Sequence, residues 1–232
     1  MSEAVYTQRR HALVKSLIAQ GVLRSPNIVR AMETVPREKF VPNNYRDSAY
    51  ADTPLPIGFR QTVSAPHMVA IMAEAMELEE GLKVLEVGSG CGYNAALLCE
   101  IVAPDCSTHP GHVYTVEIIP GLFELCRQRV QELGYSGRVA VILGDGSLGH
   151  PQEALYDRIV VTASAPRILP SLLEQLAKPG IMLSPIGPAF YVQELIKIRK
   201  DELGQVESSS IGDVAFVPLV GKEGWKGHGL EV

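Results

Sequence analysis

The sequence predicts an α/β fold, a mostly parallel, twisted sheet with helices on both faces behind an N-terminal helical extension. Short β-branched runs alternate with helical patterns between residues 83 and 183, the arrangement of βα units. The first run, Lys83-Val84-Leu85-Glu86-Val87, breaks into a turn containing Gly88, Gly90 and Gly92 and then into the helix-like Ala95-Ala96-Leu97-Leu98. Glycine tolerates positive φ and lets backbone approach a ligand closely, so such a turn can aim N–H groups at a bound molecule. Three successive strand-like runs also carry an acid at or beside their end, Glu86, Glu117 and Asp145. Together these acids point to one crevice at the carboxyl edge of a parallel sheet.

Taken in order, residues 7–47 read as helical, with Leu13, Leu17 and Ile18 on one face and a break at Gly21. Ser25-Pro26 opens a second helix through Ile28, Val29 and Met32, because proline suits a first helical turn. Pro54, Pro56 and Gly58 predict an irregular loop. Met68, Met72 and Met76 recur at four-residue spacing behind Pro66 and predict a helix beginning at Ser64 or Ala65, its methionine stripe packed in the core. The run Val113-Tyr114-Thr115-Val116 then ends in Glu117, and the run 139–143 ends in Gly144-Asp145-Gly146. After them come Arg158-Ile159-Val160-Val161-Thr162, a helix from Leu169 to Lys178 stopped by Pro179-Gly180, and the strand Ile181-Met182-Leu183. Glu194 to Arg199 and Val214 to Val217 read as two late strands joined by the polar, Ser-rich stretch 201–213.

At 232 residues with 46% hydrophobic content, a chain of this size can bury a full core without a second domain. A net charge of −5, with 21 Lys and Arg against 26 Asp and Glu, argues against a nucleic-acid partner, whose phosphates need clustered cations. The first ten residues lack the apolar core of a signal peptide and no apolar run reaches membrane-spanning length, which predicts a cytoplasmic protein without a membrane partner. The cysteines, Cys91, Cys99, Cys106 and Cys126, form no C-x-x-C pair and are expected to be reduced thiols. Cys106, His109 and His112 share a loop, but their spacing matches no common zinc pattern, so no metal is expected. His11, His150 and His228 fall in no constellation.

The residues carry more than a fold. A dinucleotide fingerprint G-x-G-x-x-G would need glycine at position 93, which is Tyr93. The observed G-x-G-x-G behind Glu86 instead resembles motif I of the S-adenosylmethionine methyltransferases. On that reading Glu117 can accept hydrogen bonds from both ribose hydroxyls, and Asp145 from the exocyclic amine of adenine. The plainer alternative is that both acids only cap the helices that follow. Gln61, Thr62 and Ser64, ahead of a helix N-terminus, offer hydroxyls, N–H groups and the positive end of a dipole to an anionic substrate. Here the alternative is that Ser64 is only an N-cap.

The stretch P-L-P-I-G-F-R-Q-T-V-S-A-P-H-M at 54–68 resembles the P-L-P-I-G-x-G-Q-T-I-S-x-P-x-M signature of the protein-L-isoaspartate O-methyltransferases. Further matches run along the chain: A-M-E-T-V-P-R-E-K-F-V-P at 31–42, A-Y-A-D at 49–52, G-D-G at 144–146, Y-D-R-I-V-V-T-A at 156–163 and F-V-P-L-V-G at 216–221. The resemblance implies a Rossmann-like class I methyltransferase fold, with one domain over 1–232 made of a helical extension at 1–50, a cofactor-binding core at 80–200 and C-terminal strands at 201–232. It implies S-adenosylmethionine as methyl donor, S-adenosylhomocysteine as product, and isoaspartyl proteins and peptides as partners, a monomer being favoured. Ser64 matches the serine regarded as the family's active-site residue. Cofactor contacts are expected at Gln61, Thr62, Val63, Ser64 and His67, at Glu86, Val87, Gly88, Gly90, Gly92, Tyr93 and Asn94, and at Glu117, Asp145, Gly146 and Thr162, the alternative for His67 being a structural histidine at the start of a helix. Arg60 departs from the pattern, standing where the family usually has Gly or another small or polar residue, which bears on the substrate entrance.

The implied chemistry needs few acid–base residues. A carboxylate with a pKa near ~4 is already ionised at neutral pH, so methylating it requires no general base. The site must supply alignment and dryness. In the family the ester then cyclises to a succinimide without enzyme help. The rival readings are an S-adenosylmethionine enzyme acting on a small molecule or nucleic acid, and a catalytically silent binding protein. The first would be favoured by N-P-P-Y after the fourth strand, where this chain has V-T-A-S-A-P; the second would be favoured by loss of the glycine turn or Ser64, both intact.

Overall fold

The computed structural model describes residues 2–226, so His228 lies outside the described residues. The chain begins with α1 (Glu3–Ala19) and α2 (Pro26–Thr34), followed by 3-10 turns at Arg37–Lys39 and Asn43–Ser48. Arg10, Val14 and Leu17 form the buried stripe of α1, whereas Ile18 is exposed. The face is rotated from the expected one because Arg10 turns inward, donating from Nε to the Tyr50 hydroxyl (2.7 Å) and from Nη1 to the carbonyl of Glu33 (3.0 Å). Glu38 completes this cluster, accepting from Tyr50 and pairing with Arg10 at 3.4 Å. Burial and this bond push the Tyr50 phenol well above its ordinary value.

The segment expected to be an irregular loop is a small antiparallel hairpin, β1 (Leu55–Gly58) and β2 (Gln61–Val63), with Leu55 opposite Val63. Its tip, Phe59-Arg60, has φ of 51° and 57°. Positive φ at both central residues is what a tight hairpin turn requires, and Arg60 therefore occupies a position that glycine would fill without strain. Pro56 is tolerated because a two-stranded ribbon is all edge.

The remaining elements are α3 (Pro66–Ala75), β3 (Lys83–Val87), α4 (Tyr93–Val102), β4 (His112–Glu117), α5 (Pro120–Glu132), β5 (Val139–Leu143), β6 (Tyr156–Val161), α6 (Pro170–Gln175), β7 (Leu176–Ile186), β8 (Gln193–Lys200) and β9 (Val206–Val214). The strands from β3 onward form one sheet in the order β5-β4-β3-β6-β7-β8-β9, parallel as far as β7 and antiparallel beyond it. The central strands are almost wholly buried, as expected of a parallel sheet covered on both faces. The pleat separates the two cores: Val84 packs with α3, α4 and α5 residues, and Leu85 and Val87 pack on the opposite side with Leu169 and Leu172. Glu86 shares the Val84 face and so comes beneath α4, where Asn94 meets it.

Two boundaries differ from those read in the sequence. The sixth helix ends at Gln175, and Leu176, fully buried, already belongs to β7 and lies opposite Tyr156. Pro179-Gly180 is unfit for helix, and the sheet takes up the chain ahead of it. The Ser-rich stretch expected to join two strands is itself β9, paired along β8 from Val206 to Val214, while 215–217 leaves the sheet. As an edge strand exposed along nearly its whole length, β9 shows no apolar alternation.

Candidate active site

The chain order reverses at β3. From there β4 and β5 run to one side and β6 onward to the other, so the carboxyl ends of β3 and β6 flank a topological switch point. Three adjoining cavities with shared wall residues open there, of about 720, 50 and 370 Å³. Thr62 from β2 and Thr162 after β6 border all three. Thr162 is held in place by its hydroxyl, which donates to the carbonyls of Val87 (3.0 Å) and Gly88 (2.7 Å).

The largest cavity is walled by Gln61, Val87, Gly88, Gly90, Glu117 and Gly146 among others. Gly88 has φ +99°, and a Cβ there would stand 2.5 Å from Thr162 Oγ1, so only glycine lets the turn lie this close to β6. The Gly90 N–H donates to Glu117 Oε2 (2.8 Å), while Oε1 accepts from the N–H groups of Ile118 and Ile119 (3.0 Å each). A carboxylate has about four acceptor positions. Three are filled here, which leaves Glu117 room for one further donor from the cavity rather than two.

The small inner cavity is bordered by Val63, Ser64, Glu86, Tyr93 and Asn94. Glu86 has no exposed surface; it accepts from Asn94 Nδ2 (2.8 Å) and Thr115 Oγ1 (2.5 Å). Burial pushes its carboxyl up to about 7 against the opposing effect of those bonds, and the nearby Glu117 adds to the rise. Glu117 is itself raised by burial, with its backbone bonds acting in the other direction. Two buried carboxyls at adjacent strand ends make this region receptive to positive charge.

The third cavity, outer in that its walls lie away from the glycine turn, is lined by Ser64, by Pro54, His67 and Met68, and by Asp213 to Val217. Ser64 does not cap α3. The N-cap is Ala65, and no side chain of its own caps the helix. Instead Asp52 reaches across, its Oδ1 accepting from the His67 N–H (2.8 Å) and lying 2.9 Å from His67 Nδ1. Relieved of capping, Ser64 borders both the inner and the outer cavity.

Several expected contacts fall elsewhere. Asp145 does not border any of these three cavities: Oδ1 accepts from the N–H (2.9 Å) and hydroxyl (2.7 Å) of Ser147, and Oδ2 from the Lys222 N–H (2.7 Å). It caps a 3-10 turn, in line with the plainer alternative read from the sequence, and anchors the C-terminal segment. Gly92 is also off the walls; it starts α4 with φ +88°, and a Cβ there would be 2.9 Å from Cys126 Sγ, so its role is packing. His67 borders only the outer cavity, and Arg60 only the large one. Unforeseen were the walls from Phe190-Tyr191-Val192 and Pro218-Leu219-Val220. The signal for the first is an apolar run in a loop behind Pro185 and Pro188, and for the second the stretch F-V-P-L-V-G that resembles the family.

The model of the family described as Protein-L-isoaspartate(D-aspartate) O-methyltransferase matches residues 8–224. The chain is 50% identical over 226 residues to the protein-L-isoaspartate O-methyltransferase of Hyperthermus butylicus, covering 97% of this chain and 93% of that protein. It is 50% identical over 219 residues to the protein of that name from Methanothermobacter thermautotrophicus, covering 94% and 98%. Among solved structures, a Plasmodium falciparum homologue in complex with S-adenosyl-L-homocysteine superimposes with a TM-score of 0.77 at 25% identity, over 91% of this chain and 98% of that one.

Proposed function

This chain belongs to the protein-L-isoaspartate (D-aspartate) O-methyltransferase family, and from that premise we propose that Thr62, Ser64 and Thr162 form the junction at which its methyl donor and acceptor meet. The activity is transfer of a methyl group from S-adenosylmethionine to the free α-carboxylate of L-isoaspartyl residues in damaged proteins and peptides. The observation that carries the site assignment is the shared wall: Thr62 and Thr162 border all three of these cavities, and Ser64 borders both the 50 and the 370 Å³ ones.

The residues present fit the donor. The 720 Å³ cavity is of ligand size, its glycine turn permits close approach, and Glu117 keeps one acceptor position for a ribose hydroxyl. Gly88 and Gly90 would hold the middle of the molecule, and Glu86 with Asn94 its amino-acid end. When bound, S-adenosylmethionine supplies an electrophilic methyl on a sulfonium.

The outer cavity, of about 370 Å³, is assigned to the isoaspartyl segment. Its carboxylate arrives already ionised, so no residue of the chain has to take a proton. Ser64 donates a hydrogen bond that fixes one carboxylate oxygen and leaves the other facing the inner cavity. The apolar walls, Met68, Val214 and Phe216, keep water out, which favours a step in which opposite charges cancel. The whole chain is read as one catalytic unit, acting as a monomer in the cytoplasm and without a nucleic-acid partner. No helix among the described residues is long and apolar enough to cross a membrane.

Ser64→Ala tests the junction. Turnover on an isoaspartyl peptide is expected to fall at least ~30-fold with S-adenosylhomocysteine affinity nearly unchanged, because the lost bond is to the acceptor. A capping role would instead remove about 1 kcal/mol of stability and leave turnover intact. Steady-state kinetics and thermal unfolding on one preparation separate the two.

A further inference from the structure

Arg37 is the largest side chain with no exposed surface, and it belongs to the N-terminal extension rather than to any cavity wall. Its Nε donates to the carbonyl of Ala49 (2.9 Å) and its Nη2 to the carbonyl of Ser64 (2.7 Å). The guanidinium carbon lies 4.7 Å from the centroid of the Tyr93 ring, a cation–π contact. Nη1 is buried without a hydrogen-bond partner. Among the described residues no carboxylate lies within ion-pair distance of it, and the neighbouring Glu38 is engaged by Arg10 and Tyr50.

The three groups that Arg37 touches have little else in common. Ser64 is the last residue before the N-cap of α3, and the first helical bond runs from Val69 N–H to the Ala65 carbonyl, so the Ser64 carbonyl lies one residue ahead of that ladder. A buried carbonyl outside a helix needs a donor from elsewhere. Tyr93 is the first residue of α4, directly after the glycine turn, and the next residue, Asn94, holds Glu86. Ala49 closes the 3-10 segment of the extension. One planar fork thus ties the serine's main chain to the helix that begins at the glycine turn. A fully buried cation without a counter-ion is costly, and stability alone would be served as well by an apolar side chain of similar volume.

We propose that Arg37 is a positioning residue for methyl transfer, fixing the Ser64 main chain against the start of α4 so that the serine hydroxyl keeps its place between the two cavities. The inference rests on the reading of Ser64 given above. Its guanidinium is suited to this because it is rigid, always charged, and donates in fixed directions, where lysine would offer one flexible point charge. In-line transfer tolerates little displacement, a 1 Å error costing about 100-fold in rate.

The test is a double-mutant cycle of Arg37→Met and Ser64→Ala, with Arg37→Lys alongside. Circular dichroism checks folding, calorimetry gives S-adenosylhomocysteine Kd, and kcat is measured at saturating isoaspartyl peptide. Arg37→Met is expected to lower kcat at least ~30-fold with Kd changed by less than ~3-fold, and Arg37→Lys to recover part of that loss. In the Ser64→Ala background the same change should cost less than ~3-fold, because there is no longer a hydroxyl to position. A folded Arg37→Met enzyme with unchanged kcat, a parallel loss of kcat and cofactor affinity, or a full multiplicative loss in the double variant would overturn the proposal. Where Arg37→Met does not fold, Arg37→Lys carries the test, with kcat lowered at least ~10-fold at unchanged Kd expected and no loss overturning it. If Ser64→Ala itself leaves kcat unchanged, the Ser64 reading fails and takes the inference with it. That outcome differs from one in which Ser64→Ala is impaired and Arg37→Met is not.

Discussion

Glu86 stands without exposed surface at the end of β3, and burial raises its carboxyl to about 7. A carboxyl whose folded value exceeds its unfolded one binds its proton more tightly in the native state. Its contribution to stability is therefore complete below the ordinary carboxylate range and is lost as pH rises through about 7. The donor's positive charge favours the ionised carboxylate, so its affinity should move the other way. S-adenosylmethionine is expected to bind about tenfold more weakly at pH 6 than at its plateau above pH 8, and Glu86→Gln to abolish that dependence. Calorimetry across pH on both proteins checks it, and an equal slope in the variant would remove Glu86 from the linkage. Asp145 invites a different expectation, since its oxygens hold Ser147 and the Lys222 N–H instead of facing the cavity. Asp145→Ala should weaken binding of S-adenosylmethionine and of an analogue lacking the adenine amine by the same factor, because what is lost is the wall at Pro218-Leu219-Val220. A factor that differs between the two ligands would restore a direct adenine contact.

The hairpin of β1 and β2 supplies one wall of the 720 Å³ cavity. Ile57, Phe59 and Gln61 line it, and the Phe59 ring reaches Gly121 at the start of α5, where a Cβ would stand 2.1 Å from Cζ. Gly121→Ala should displace that ring without unfolding the chain, since Phe59 is 58% exposed, and should speed S-adenosylhomocysteine release by about 3- to 10-fold. Stopped-flow dissociation measures this, and an unchanged rate would show that the hairpin tip does not retain the product. The hairpin was not legible in the sequence, because Pro54, Pro56 and Gly58 read as loop and the tip residues Phe59-Arg60 are not those a tight turn prefers. The strand β9 was missed for the opposite reason: its pairing is made by main chain alone, and its serines carry no periodic signal. By contrast β3, β4 and β6 were legible because largely buried parallel strands read as apolar, Val- and Ile-rich runs, and the edge strand β5 carries the same kind of run. Backbone geometry dictates the residue at Gly88, whereas the Asp145 carboxylate had two possible partners in the sequence.

At the scale of the whole molecule, the sheet brings the ends of β3, β4 and β6 to one edge, and the β1–β2 hairpin and the C-terminal segment add walls around it. Specificity for isoaspartate follows from reach. An isoaspartyl residue carries its free carboxylate on the α-carbon and runs its main chain through the side-chain methylene, so the carboxylate sits one bond closer to the backbone than that of aspartate. With Ser64 held by Arg37 on one side and the glycine turn fixed on the other, a one-bond shift is enough to spoil alignment. The most direct measurement is methyl incorporation from labelled S-adenosylmethionine into two peptides of identical sequence, one containing isoaspartate and the other aspartate, with released methanol as the signature of a labile ester. The account predicts labelling of the isoaspartyl peptide at least ~100-fold faster than of its aspartyl twin. Equal labelling of both, or labelling of neither while a nucleic acid or small metabolite is methylated, would contradict it.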